Sequence, residues 1–309
     1  MNPLYLLLEL SVAVSFVLAG MAALRRGRLP FYELISAAIF GILLEEGDQL
    51  MFESYHYSAH WLATVDRAPI AIGLTWALIL AGAMRITDAL GVRRRYAPFV
   101  DAVLVISLDL AFDAIAIRMG LWTWRGIGPE QAWFGVPAGN FYAWLFVALG
   151  FSLMSRWLRE ALARGSARNW LQLLVPIPAY VILIVGLVPF TILQPLLEPG
   201  RGHGLGIFAA TLAIFVGVAA YGVFGPGRGI PDGARDAIVD LRLAFASRLA
   251  IHGVFLTALF VMNLQTTVPT LLVVALLLLA AEIPLAWLVT ARLKTDLAAA
   301  QSIRKRATA

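Results

Sequence analysis

Residues 101–120 read DAVLVISLDLAFDAIAIRMG. The run is long and apolar enough to cross a membrane as a helix, which takes about 20 residues. Yet it carries Asp101, Asp109 and Asp113. An aspartate at the centre of a membrane helix costs roughly 2.5–3.5 kcal/mol to insert, so such residues face partners or a polar cavity inside a bundle. The whole chain agrees with a membrane reading. Of its 309 residues, 61% are hydrophobic and 14% charged, and the mean hydropathy is +0.82. Soluble domains run near 45–50% and about 25%. A water-soluble globule, a disordered chain and a collagen-like chain are excluded.

Nine apolar segments emerge, at 3–24, 31–52, 68–88, 97–118, 138–158, 170–194, 204–224, 243–263 and 268–291. The connections 25–30, 85–96, 156–169 and 225–242, with the tail from 292, hold 19 of the 24 Lys and Arg residues. The alternate connections hold only Arg67, Arg118, Arg125 and Arg201, and Arg248 lies inside segment eight. Cytoplasmic loops are the basic ones. The expectation is therefore an all-α polytopic membrane protein with nine spans, N-terminus outside and C-terminus cytoplasmic. The first segment has its arginines after the apolar run, the reverse of a secretory signal, and reads as an uncleaved span. Pro176, Pro178, Pro189 and Pro195 predict a kinked or broken sixth segment. No linker divides the chain, so residues 1–309 read as one membrane domain.

The net charge of +5 follows from this topology and does not call for nucleic acid as a partner. The chain has no cysteine, which removes disulfides, thiolate nucleophiles and Cys-ligated metals. Its two lysines, Lys294 and Lys305, lie near the C-terminus, away from any mid-membrane Schiff base. P-loop, GxSxG and HExxH motifs are absent from the sequence.

An internal similarity runs between residues 43–80 and 111–148. At an offset of 68, Glu45 falls on Asp113, Pro69 on Pro137 and Trp76 on Trp144. Each copy has an acidic helix, an aromatic connection and a helix opened by proline. A parallel repeat about an axis along the membrane normal would make Glu45 and Asp113 symmetry mates across a shared cavity.

The second segment ends LLEEGDQLMFE, with Glu45, Glu46, Asp48, Gln49 and Glu53. Glu45 and Gln49 share a helix face, as do Asp109 and Asp113. With Asp101 the exception, these groups fall in the outer half of the membrane, where they are expected to converge on one polar cavity. The connection GLWTWRGIGPEQAWFGVPAGNF (120–141) sets Trp122, Trp124, Trp133 and Phe134 beside them. The rings read either as an interfacial aromatic belt or as walls that hold an isoprenoid chain and stabilise a carbocation. Asn140 stands where it can face the same cavity. In ESYHYSAH, Glu53, His56 and His60 would share one face of a continuous helix and could chelate a metal. The stretch is expected to leave the membrane, however, and no metal is assigned. His203 reads as a loop residue and His252 as an interior hydrogen-bonding one. Asp109 and Asp113 also match a DxxxD pattern of intramembrane prenyltransferases, and Asp232, Asp236 and Asp240 repeat it. The topology puts the two sets on opposite sides of the membrane.

The elements DLAFDAIA, GLWTW and FGVPAGNF place Asp109, Asp113, Ala116, Gly120, Trp122, Trp124, Phe134, Gly135, Val136, Pro137, Asn140 and Phe141 in an order that resembles a known pattern. It is that of the membrane carotenoid-biosynthesis proteins, whose characterised members are carotenoid 1,2-hydratases, including gamma-carotene and bisanhydrobacterioruberin hydratases. The stretch YELISAAIFGILLEEGDQL…YHY…APIAIGLTW is similar too, with Glu45 matching the family's glutamate and Tyr55 and Tyr57 its tyrosines. The resemblance covers about residues 31–150. Ala114 replaces a common proline, and EEGDQLMFES a Gly-rich stretch, which implies a divergent branch.

The resemblance implies a hydro-lyase that adds water to a terminal isoprenoid double bond, with no cofactor. A carboxylic acid protonates C2, a tertiary cation forms at C1, and water captures it. Desolvation and a neighbouring like charge both favour the neutral form of a carboxyl, as such an acid requires. Asp113 or Glu45 is the expected donor, with Asp109 as partner or water-orienting base. Trp122, Trp124, Trp133, Phe134, Asn140, Tyr55, Tyr57, Glu46, Asp48 and Gln49 are expected to surround the substrate. The partners implied are a hydrophobic isoprenoid or lipid and the bilayer of a bacterial or archaeal cytoplasmic membrane. A non-catalytic lipid or isoprenoid carrier is the alternative reading, and a Mg-dependent prenyltransferase the third.

Overall fold

The computed structural model describes residues 3–165, 168–198, 203–226 and 237–307, without the side chains of 237–240 and 296–307. The protein is all-α apart from four short strands. In chain order, α1 (Pro3–Arg26) and α2 (Arg28–Met51) precede β1 (Tyr55–Tyr57), β2 (Thr64–Val65) and β3 (Ala68–Pro69). Then come α3 (Ile70–Ala89), α4 (Ala97–Arg118), β4 (Trp122–Trp124), α5 (Ala138–Ala163) and a 3-10 turn, Asn169–Leu174. The chain closes with α6 (Pro176–Leu197), α7 (Leu205–Phe224), α8 (Ala237–Val261), the single turn α9 (Leu264–Thr267) and α10 (Pro269–Ala307).

Among the described residues, seven helices are long and apolar enough to cross a membrane. The helices α2 and α4 are as long but fall outside that set. Glu33, Glu45, Glu46 and Asp48 in the one, and Asp101, Asp109 and Asp113 in the other, make them too acidic. The helices α3 and α5 are mostly buried, whereas α1, α6, α7, α8 and α10 are mostly exposed. Around the inner group, α1 lies on α2 and α3, α8 on α3, α6 on α5, and both α7 and α10 on α4.

Prolines and glycines set the inner group. Pro69 and Pro137 are the N-caps of α3 and α5, both with φ near −65° and extended ψ, so each helix starts at a fixed point after its connection. A Cβ on Gly41 of α2 would lie 2.9 Å from the carbonyl oxygen of Gly73 on α3. Only glycine permits that approach, which brings Trp76 of α3 against α2.

The sixth segment is broken as its prolines predict, at Val175–Pro176, between the 3-10 turn and α6; Pro189 and Pro195 lie within the continuing helix. The stretch ESYHYSAH is not helical. The helix α2 ends at Met51, Glu53 takes a positive φ of 49°, and the chain turns into β1. His56 and His60 therefore share no helix face. The strand β1 pairs antiparallel with β4, Tyr55 opposite Trp124, His56 opposite Thr123 and Tyr57 opposite Trp122. Asp232 and Asp236, of the second DxxxD set, and Arg201 lie outside the described residues, as does the side chain of Asp240.

Candidate active site

The helices α2, α3, α4 and α5 and the β1–β4 ribbon line a half-open cavity of about 50 Å³. Glu45 of α2 and Asp113 of α4 both line it, with Asn140, Tyr55, Tyr57 and four tryptophans. The carboxylates have different company. Glu45 accepts hydrogen bonds from the Tyr55 hydroxyl, from the Tyr57 hydroxyl at 2.5 Å and from Trp76 Nε1 at 2.7 Å. All three donors are neutral. Burial, and then the Glu45 charge, push both phenols well above the ordinary tyrosine range, so they remain donors throughout the physiological pH range. Asp113 accepts from Asn140 Nδ2 at 2.6 Å, and the same amide reaches Asp109 at 3.3 Å. One amide therefore bridges Asp109 and Asp113, one helical turn apart on α4, and holds the two carboxyl groups side by side. The second oxygen of Asp109, Oδ1, is buried with no hydrogen-bond partner among the described residues.

Among the described residues no arginine pairs with these acids. Arg118 donates to the carbonyls of Ala114, Phe134 and Pro129, and Arg125 pairs with Glu53 at 2.6 Å and His56 at 2.7 Å.

The walls are aromatic. The Trp76 and Trp144 rings meet at 4.2 Å. Phe112 lies 5.9 Å from both Trp122 and Trp144. Tyr55 packs edge-on against Trp124, and Tyr57 against Trp122. Trp124 Nε1 is buried without a hydrogen-bond partner among the described residues, so this donor is available to an occupant.

The cavity has neighbours on two sides. On one side it shares Glu45, Tyr55, Trp124 and Asn140 with a cleft of about 560 Å³ reaching Asp48 and Tyr180. On the other it shares Ile72, Thr75, Phe112 and Trp122 with an apolar chamber of about 130 Å³ between α1, α3 and α8. The three lie side by side around the acids.

Not every expected residue lines these cavities. Glu46 binds the backbone N–H groups of Arg67 at 3.0 Å and Ala68 at 2.7 Å, tying the β2–β3 turn to α2. Gln49 is buried, and its carbonyl accepts from Arg67. Asp48 does line the cleft, while its carboxylate holds the Ser54 N–H at 3.1 Å. Trp133 donates to the Leu110 carbonyl at 2.8 Å and packs on Phe134. Both rings brace the connection before α5 and line none of the three cavities. Sequence reasoning had Trp76 and Trp144 only as repeat mates, and it passed over Phe112 and Thr75, whose apolar contexts look like any helix face. The repeat was the one signal that could have promoted the two tryptophans.

Among the described residues no group of three or more His, Asp or Glu side chains has a metal-binding arrangement. Neither a curated protein nor a solved structure matches this chain. A family model described as carotenoid biosynthesis protein does match, over residues 1–200, a longer stretch than the 31–150 that carries the motifs. With nearly two-thirds of its length matched, and with all its site helices inside the match, the chain belongs to the carotenoid biosynthesis protein family.

Proposed function

We propose that this protein is a membrane hydratase that adds water to a terminal C=C bond of a carotenoid or related isoprenoid. Membership of the family supports a role in carotenoid biosynthesis. The observation that carries the finer reading is the unlike hydrogen bonding of two acids on one aromatic cavity. Asp113, beside Asp109 on the one Asn140 amide, is the donor. It gives that proton to the terminal alkene carbon, C2, and leaves a tertiary cation at C1. The rings of Trp76, Trp122, Trp124 and Trp144 flank the cation, whose charge their π faces favour. Glu45, held by three neutral donors, orients the water and takes its proton as the C–O bond forms. One water is added, and a proton returns from Glu45 to Asp113 through cavity water before the next turnover. Two groups with opposed environments divide acid and base roles in this way.

All nine long helices are read as spans, with the N-terminus outside. The acids of α2 and α4 support this, because Glu33, Glu45, Asp101, Asp109 and Asp113 are all buried and not turned toward lipid. A parallel two-fold repeat has support of its own. At the offset of 68, Trp76 touches its mate Trp144, and Glu45 and its mate Asp113 line one cavity. Pro69 and Pro137 cap equivalent helices. The same offset puts the axis between the Tyr55–Trp124 and His56–Thr123 pairs, inside the β1–β4 ladder.

The test is expression in a bacterial host that makes acyclic and monocyclic carotenes, with pigments read by mass spectrometry. A product one water heavier, absent with Asp113→Asn, is expected. Unchanged pigments from well-folded protein would replace the hydratase with a carrier that returns its ligand intact.

A further inference from the structure

At the far end of the inner helices lies a second, open pocket, of about 50 Å³, bounded by α1, α2, α3, α5 and α8. Glu33 stands twelve residues before Glu45 on α2, about 18 Å along the helix, so this pocket is separate from the acid cavity. Arg26, Arg85 and Arg159 line it, with Glu33 as the one carboxylate. Glu33 is already engaged: Arg159 grips both its oxygens, with Nη2 at 2.7 Å. The remaining arm of Arg159 goes to Asp88 at 2.8 Å. Arg85 is left with Glu33 at 3.7 Å as its one ion-pair partner among the described residues, and no hydrogen bond. Its side chain is nonetheless only 24% exposed, drawn into the pocket and not extended into water. A guanidinium held there with unused donors is set to receive an anion.

The rest of the lining says which anion. Ala22 and Leu78 contribute apolar wall, and Leu78 and Ser247 also line the apolar chamber between α1, α3 and α8. The charged pocket therefore lies against the apolar chamber, beside the mostly exposed α1. Basic pockets between membrane helices bind anionic head groups.

We propose that this pocket binds an anionic phospholipid, its phosphate on Arg85 and one acyl chain in a groove between α1 and α8. The lipid then closes one flank of the apolar chamber that lies beside the acid cavity. This assignment does not depend on the hydratase reading, and its test involves no catalysis.

The protein in detergent would be examined by native mass spectrometry with phosphatidylglycerol, phosphatidylcholine or inorganic phosphate. Phosphatidylglycerol should be retained at least tenfold better than phosphatidylcholine. Arg85→Gln should remove that preference and Arg85→Lys keep part of it. Ala22→Trp, which leaves every charge in place and fills the groove, should lower retention of the lipid. Equal retention of the two lipids, or a preference unchanged in Arg85→Gln, overturns the proposal. So does inorganic phosphate that binds in an Arg85-dependent way while neither lipid is retained, since the ligand would then be a free phosphate. If Arg85→Gln does not fold, Arg85→Lys and Ala22→Trp decide: wild-type lipid preference and retention in both would sink the site.

Discussion

The two ends of the helices α2–α5 use the same residue type in opposite ways. At the end that gathers the basic connections, every buried acid has arginine. Asp101 binds Arg156 at 3.0 Å, Asp88 bridges Arg156 and Arg159, and Glu33 takes Arg159. At the other end Glu45, Asp109 and Asp113 are as deeply buried but, among the described residues, take hydrogen bonds only from tyrosine, tryptophan and asparagine. Burying a charge is costly unless it is paired. The first end meets that cost by pairing. The second leaves it unmet by the described cations, and the proposed function uses that end for proton exchange. A third buried pair, Arg248 of α8 with Glu282 of α10, belongs with the first kind. Arg248 also ties these helices to the Leu104 carbonyl and Ser107 of α4.

The contrast makes unequal demands on mutants. The largest effect is expected at the unpaired end: Asp113→Asn should cut hydration by about a thousandfold or more, near 4 kcal/mol of barrier, with the thermal midpoint hardly changed. Pigment mass spectra and a melting curve in detergent check both halves. At the paired end the outcome should invert. Arg156→Met strands Asp101, leaves Asp88 to Arg159 alone, and should destabilise by about 3–5 kcal/mol, seen as lost folded protein on size-exclusion chromatography. Adding Asp101→Asn should recover part of the loss, and no recovery would mean that the pairing is not what holds this end together. A smaller effect is expected for Tyr57→Phe. It removes one of three donors to Glu45, worth about 1–3 kcal/mol at a buried charged acceptor, so turnover should fall roughly ten- to a hundredfold with little change in stability. Smallest of all, Trp133→Phe loses one bond to the Leu110 carbonyl, about 1 kcal/mol of stability. Conversion should stay within about twofold of wild type, because this ring lines none of the three cavities; a larger loss of product would return it to the site.

Much of the site was readable in one dimension. Glu45, Asp109 and Asp113 stand out because carboxylates in apolar runs are expensive, and Trp122, Trp124 and Asn140 because they follow directly in a connection of fixed length. The tyrosines came from family resemblance. Trp133 and Phe134 stand beside the acids in sequence but line none of the cavities, because the connection folds back: Trp133 bonds to the Leu110 carbonyl and packs on Phe134. Glu46 shows the same limit. It is adjacent to Glu45, but one residue is about 100° around a helix, and it faces the β2–β3 turn instead of the cavity.

Composition and periodicity were enough to establish a bundle of long apolar helices with acids in two of them, because the membrane admits so few solutions. Which acids are neutralised was a matter of assembly. Arg156 and Arg159 lie more than fifty residues from Asp88, Asp101 and Glu33, and Trp76 reaches Glu45 across thirty-one. Electrostatic partnership depends on distance through space, and the folded arrangement of α2–α5 alone set those distances.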